Sequence, residues 1–163
     1  MTTTPNSATQ AWLDQEDRHT ALMIRKYGTF IQYVYGEPRR QHTSFAYTVG
    51  LFGLGHPELL ITGADTETSG NVLNDVSARI RKGHDVLPGE LLAFDGWPHR
   101  VVVEIVPNPG EIAFSANRFY ERPNEFSVPL LQLTYDDRWG RFPWDDGYDI
   151  PAWVQPRPGE LSA

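Results

Sequence analysis

The chain has 163 residues, 40% hydrophobic and 21% charged, which fits a single folded domain with a core. Its 14 Lys and Arg against 21 Asp and Glu leave a formal charge of -7. That balance argues against nonspecific nucleic-acid binding, which needs clustered cations. With no cysteine, disulfides, thiolate nucleophiles and zinc–thiolate centres are excluded.

The first residues, MTTTPNSATQ, lack the basic-then-apolar order of a signal peptide, and no run approaches the ~18 apolar residues of a membrane span. A cytoplasmic protein with no nucleic-acid and no membrane partner is expected. The small basic groups Arg39-Arg40 and Arg79-Arg81-Lys82 read as solvated surface. Residues 1–8 read as a polar tail and 9–163 as one domain. Ala11 to Tyr27 has the pattern of a helix, with Gly28 as its stop. TFIQYVYG, residues 29–36, alternates as a strand: Phe30, Gln32 and Val34 face one way, Ile31, Tyr33 and Tyr35 the other. EPRRQHT is a polar connection.

SFAYTVGL, residues 44–51, has two unlike faces. Phe45, Tyr47, Val49 and Leu51 are large; Ser44, Ala46, Thr48 and Gly50 are small enough to let a helix or a ligand approach the sheet. FGLGHP is a turn in which Gly53 and Gly55 supply positive φ. ELLITG, residues 58–63, is a short buried strand. The hydroxyl-rich join TGADTETSG leads into a helix from Thr66 to Lys82, with Val72, Leu73, Val76 and Ile80 as its stripe and Gly83 as its end. The join could hold an anion, but capping by Asp65 or Thr66 is the simpler account.

Residues 90–95 and 100–107 form a strand pair around DGWP, the second buried on both faces. NPGE, residues 108–111, has the form of a capping box opening a helix that carries Ile112, Ala113, Ala116, Phe119 and Tyr120. VPLLQLTY, residues 128–135, is the last strand. The remainder is an acidic, aromatic coil. The class is α+β: one mixed or mainly antiparallel sheet of five to six strands with two to three helices packed on it.

FAYTVGL, GHPEL, the helix end ARIRKG, LLQL and D-x-x-G-R-F-P-W together resemble an uncharacterised bacterial family, domain of unknown function 4262. The likeness runs from about Gly28 to Pro156. It implies a small, stand-alone cytosolic domain and carries over no catalytic residue.

His56-Pro57-Glu58 places an imidazole and a carboxylate two apart on an extended segment. His42, His56, Glu58 and His84 have the chemistry of metal ligands but no ligand spacing, so no metal is assigned. No serine sits in G-x-S-x-G, although Ser44 and Thr48 lie near His42 and His56. G50-x-x-G53-x-G55 is not a dinucleotide fingerprint, and no cofactor is indicated. Two functions from different classes follow. In one, the domain binds a small polar molecule on the small face of FAYTVGL. His56 carries a proton, Glu58 orients it, and Tyr47, Thr48, Gln132 and the coil residue Trp144 contact the ligand. In the other, the domain is a non-catalytic interaction module, an adaptor or immunity-type protein whose acidic, aromatic C-terminal coil, around Trp139 and Trp153, meets a basic protein partner.

Overall fold

A computed structural model describes residues 6–163. The first helix, α1, spans Ser7–Tyr27. Asn6 caps it by accepting from the Thr9 N–H at 2.8 Å, so it begins about a turn before Ala11. Ser7 and Ala8 of the expected tail are therefore helical; residues 1–5 lie outside the described chain. Gly28, at φ 89°, ends α1 with its N–H on the Ile24 carbonyl.

The strands are β1 (Phe30–Val34), β2 (Phe45–Val49), β3 (Glu58–Thr62), β4 (Leu91–Leu92), β5 (Val101–Ile105) and β6 (Leu130–Tyr135). Among the described residues two further α-helices, α2 (Thr66–Arg81) and α3 (Phe114–Phe119), accompany short 3-10 turns. The six strands make one sheet in the order β1-β2-β3-β6-β5-β4. β3 and β6 are parallel and the other pairs antiparallel, so the sheet is mixed and the class α+β, as expected.

Alternation along the strands divides the core in two. Ala46, Leu59, Ile61, Val101, Val103, Leu131 and Leu133 face α2 through Val72, Leu73, Val76 and Ile80. Phe45, Tyr47, Val49, Leu60 and Leu130 face the other way, onto Ile112, Ala113 and Ala116 around α3, with Ile24 of α1 at the margin. The small face of β2 is thus where a helix comes close: Ala46 lies against α2, and Thr48 is fully buried.

Several local expectations are corrected. Gly55, at φ 79°, supplies positive φ in the β2–β3 turn, while Gly53 does not; the second such glycine is Gly50, at φ 135°. The strand expected over 90–95 shrinks to Leu91–Leu92, and β5 is buried mainly through Val101 and Val103. Asn108 does not cap a helix. Its Nδ2 donates to Glu111 Oε2 and to the Leu161 carbonyl, and residues 109–111 form a single 3-10 turn. Ile112 and Ala113 then leave helical geometry before α3 starts. Burying both apolar residues under the sheet overrides the capping signal.

The C-terminal coil closes against the end of β3. Gly63 has φ 72°, and a Cβ there would stand 2.4 Å from the Val154 carbonyl oxygen. Gly63→Ala should therefore combine left-handed strain with a backbone clash and cost at least about 2 kcal/mol in urea denaturation.

Candidate functional site

Glu58 opens β3 with a fully buried side chain, and the loop leaving β2 folds around it. Oε1 accepts from Thr48 Oγ1 at 2.8 Å and from the Leu51 N–H at 3.0 Å. Oε2 accepts from the Gly50 N–H at 3.0 Å and the Phe52 N–H at 3.2 Å. Thr48 Oγ1 in turn accepts from the Leu59 N–H at 2.9 Å. Three successive backbone amides converge on one carboxylate because Gly50 adopts a φ that other residues avoid. The motif T-V-G-L followed by H-P-E-L therefore encodes a loop closed by its own glutamate. Burial pushes the Glu58 carboxyl up to about 7, against the pull of these four donors.

His56 is buried beside it but shares no hydrogen bond with it. Its Nδ1 lies 2.8 Å from the Pro57 carbonyl, and its Nε2 accepts from the Val86 N–H at 3.1 Å. The proton must then sit on Nδ1, and the ring ties the β2–β3 turn to the segment after α2. Tyr47 is buried with its hydroxyl accepting from the Ser115 N–H at 2.9 Å, and burial raises its pKa. Tyr120 accepts from the Gly53 N–H at 3.2 Å and is pushed up to about 12, first by burial and then by the Glu58 charge. Every group of the expected acid–base pair is engaged by the protein's own backbone or by Thr48, and on the small face of β2 Ala46 packs against α2 while Gly50 lies against Gly28, Thr29 and Ile24. His42 is exposed and His84 pairs with Glu90 at 2.5 Å. Among the described residues no three His, Asp or Glu side chains gather to hold a metal. At the join before α2, Asp65 caps the helix by accepting from the Thr68 N–H at 2.7 Å.

Gln132 and Trp144 belong to a different region. Gln132 Nε2 donates to the Pro156 carbonyl at 2.9 Å, so this buried amide holds the C-terminal coil. Beside it Glu104 receives Arg157 through two bonds, at 2.8 and 2.9 Å, and the Thr134 hydroxyl at 2.7 Å. Trp144 is half-exposed; Phe142 stacks on it at 5.1 Å, and the Arg157 guanidinium lies 5.2 Å from its ring centre. The expected site residues thus fall into a closed loop at β2–β3 and a coil fastening at β5–β6.

The feature that residue-level reasoning missed lies at the edge of the sheet. The Ser44 carbonyl accepts from the Gly63 N–H, which directs Ser44 toward the β3 side. Alternation then turns Phe45, Tyr47 and Val49 toward β1, where they pair with Val34, Gln32 and Phe30. Ile31 and Tyr33 are left with their backbone groups facing the open edge. Gln32 Nε2 reaches round to the Tyr33 carbonyl at 3.1 Å, the only side chain seen to satisfy it. Along this edge runs a trough of about 710 Å³. Residues 29–33 form its floor, Met23 and Tyr27 of α1 one wall, and Asn74 and Arg81 of α2 the other. Depressions of about 950 and 1010 Å³ lie elsewhere, among loops and the last residues of the chain. The sequence signal was present in Arg79-Arg81-Lys82, but nothing local says that the ends of α1 and α2 flank the same strand.

The Glu58 clamp generates a pH dependence of determined sign. Its native pKa of about 7 lies above the ~4.3 of an unfolded glutamate, so the native state binds the proton more tightly. The resulting stabilisation is full below about pH 4 and is lost as pH rises toward about 7. The stability difference between wild type and Glu58→Gln, measured by urea titration from pH 4.5 to 8, should therefore fall with rising pH and level off near neutrality. Glu58→Ala should cost at least about 3 kcal/mol, because it strands buried donors.

Comparison with known proteins gives one result. No curated protein and no solved structure matches the chain. A family model matches residues 23–149, from the last turn of α1 through the first half of the C-terminal coil. By that match, and in agreement with the T-V-G-L and H-P-E-L loop that lies within it, the chain belongs to the family described as domain of unknown function DUF4262.

Proposed function

We propose that the domain is a non-catalytic interaction module that holds an extended segment of a partner protein against the open edge of β1. The observation carrying this reading is the trough itself. An edge strand with unpaired backbone groups is a template for another strand, and proteins usually shorten, charge or cover such an edge. Here five consecutive residues floor a groove walled by helices from both sides of the sheet. An added strand would gain main-chain hydrogen bonds from Ile31 and Tyr33 and apolar contact from Met23, Tyr27 and Phe30.

The small-molecule reading at His56 has less support. His56 and Glu58 have their polar atoms taken by backbone groups and by the Thr48 hydroxyl, Ala46 is packed against α2, and Thr48 is fully buried. A general base needs an accessible lone pair and a substrate within hydrogen-bond reach.

The test is selection of peptide ligands from a displayed library of random decapeptides, followed by amide exchange of the complexes. Bound peptides should slow exchange at Ile31 and Tyr33. Ile31→Pro removes an outward N–H at an edge position that tolerates proline. It should weaken binding at least about tenfold, or 1.4 kcal/mol, with the fold retained by circular dichroism. An empty selection, or ligands indifferent to Ile31→Pro that protect other amides, would refute the proposal.

A further inference from the structure

We infer that the segment held at β1 is the carboxyl-terminal end of its partner, laid antiparallel to β1 with the terminal carboxylate on Arg81. The inference rests on the docking reading above and adds the partner's orientation and chemistry.

Orientation comes from the strand direction. A strand added antiparallel to β1 finishes beside the residue where β1 begins, next to Thr29 and Phe30. Arg81 stands at that end. Its side chain lies across Gly28: a Cβ on that glycine would be 2.7 Å from Arg81 Nε. Its Nη1 is 3.4 Å from Thr29 Oγ1, one weak hydrogen bond from a group with five donors. No carboxylate pairs with it among the described residues, whereas Arg79, two residues earlier and turned toward Phe94, is held by Asp75 at 2.7 Å. Arg81 is also the one charged residue lining the trough.

The charge pattern agrees. The last turn of α1 carries Arg25 and Lys26, and that of α2 carries Arg79 and Arg81. Of these, Arg81 is the one that lines the trough at the start of β1, in a chain whose net charge is -7. A parallel strand would bring the partner's own amino-terminal side to Arg81. A segment running on past Thr29 would have to cross the Arg81 side chain where it rests on Gly28. A chain that stops there meets a planar guanidinium suited to two-pronged contact with a carboxylate. At the other end, β1 leads to Tyr35, 75% exposed, over which the rest of the partner can pass.

Two arrays of the same random heptapeptides test this, one anchored by the amino end with free carboxyl termini, the other anchored by the carboxyl end. The labelled, purified domain is the probe. Binding should be confined to the free-carboxyl array. Hits should lose at least about tenfold in affinity when resynthesised as amides. Arg81→Gln should reproduce that loss, Arg81→Lys should restore part of it, and Arg138→Ala, at a distant exposed ion pair, should leave affinity unchanged. Equal binding to both arrays, abolished by Ile31→Pro, would overturn the terminal assignment and leave the docking proposal standing. Hits insensitive to Ile31→Pro, or none on either array, would overturn both. Concentration-dependent self-association lost in Ile31→Pro would replace the partner with a second copy of this chain.

Discussion

A carboxylate with no counter-cation, buried at the start of β3, sets the geometry of this domain. Glu58 binds the amides of Gly50, Leu51 and Phe52 and the hydroxyl of Thr48, so the chain can leave β2 and return as β3 without exposing its backbone. A charge taken out of water is tolerated only when its lone pairs are filled, and here every one has a donor. The register of β2 on β3, and hence which face of each strand meets α2, follows from where that loop closes. His56 extends the same function outward by tying the turn to Val86.

The far half of the sheet is held by similar means. Asp137 accepts from the amides of Trp139, Arg141 and Asp149. Burial works to raise its pKa, but these donors prevail and hold it below the ordinary carboxylate range. Gln155 then pairs with the last residue of β6 through its side chain, giving to the Tyr135 carbonyl and taking from the Tyr135 N–H. Tyr135 donates to the Thr62 carbonyl, and burial lifts its pKa as well. The aromatic coil is therefore a built cover over the polar residues Gln132, Thr134 and Glu104.

Set against these two closed regions, the outer edge of β1 is open. The residues that look most chemical in the sequence serve to make loops self-sufficient, while ordinary residues, Ile31, Tyr33 and Arg81, carry unsatisfied bonding capacity. A buried polar group is costly unless paired, so a fold tends to consume its most polar interior side chains structurally. Capacity for outside partners then remains at strand edges and helix ends.

Local chemistry was enough to determine the α+β class, the C-terminal end of α1, the extent of α2 to within a residue, the faces of β1 and the two-sided character of FAYTVGL. Each of these rests on a period or a cap within a few residues. Other features required the tertiary structure. β3 pairs with β6 across some 70 residues of chain, Asn108 gave up its cap so that Ile112 and Ala113 could be buried, and α1 and α2 brought Tyr27 and Arg81 to the same strand. Whether Glu58 faces a ligand or a loop, and whether Gln132 faces a pocket or Pro156, depends on which distant backbone group arrives first, and no spacing within one segment records that.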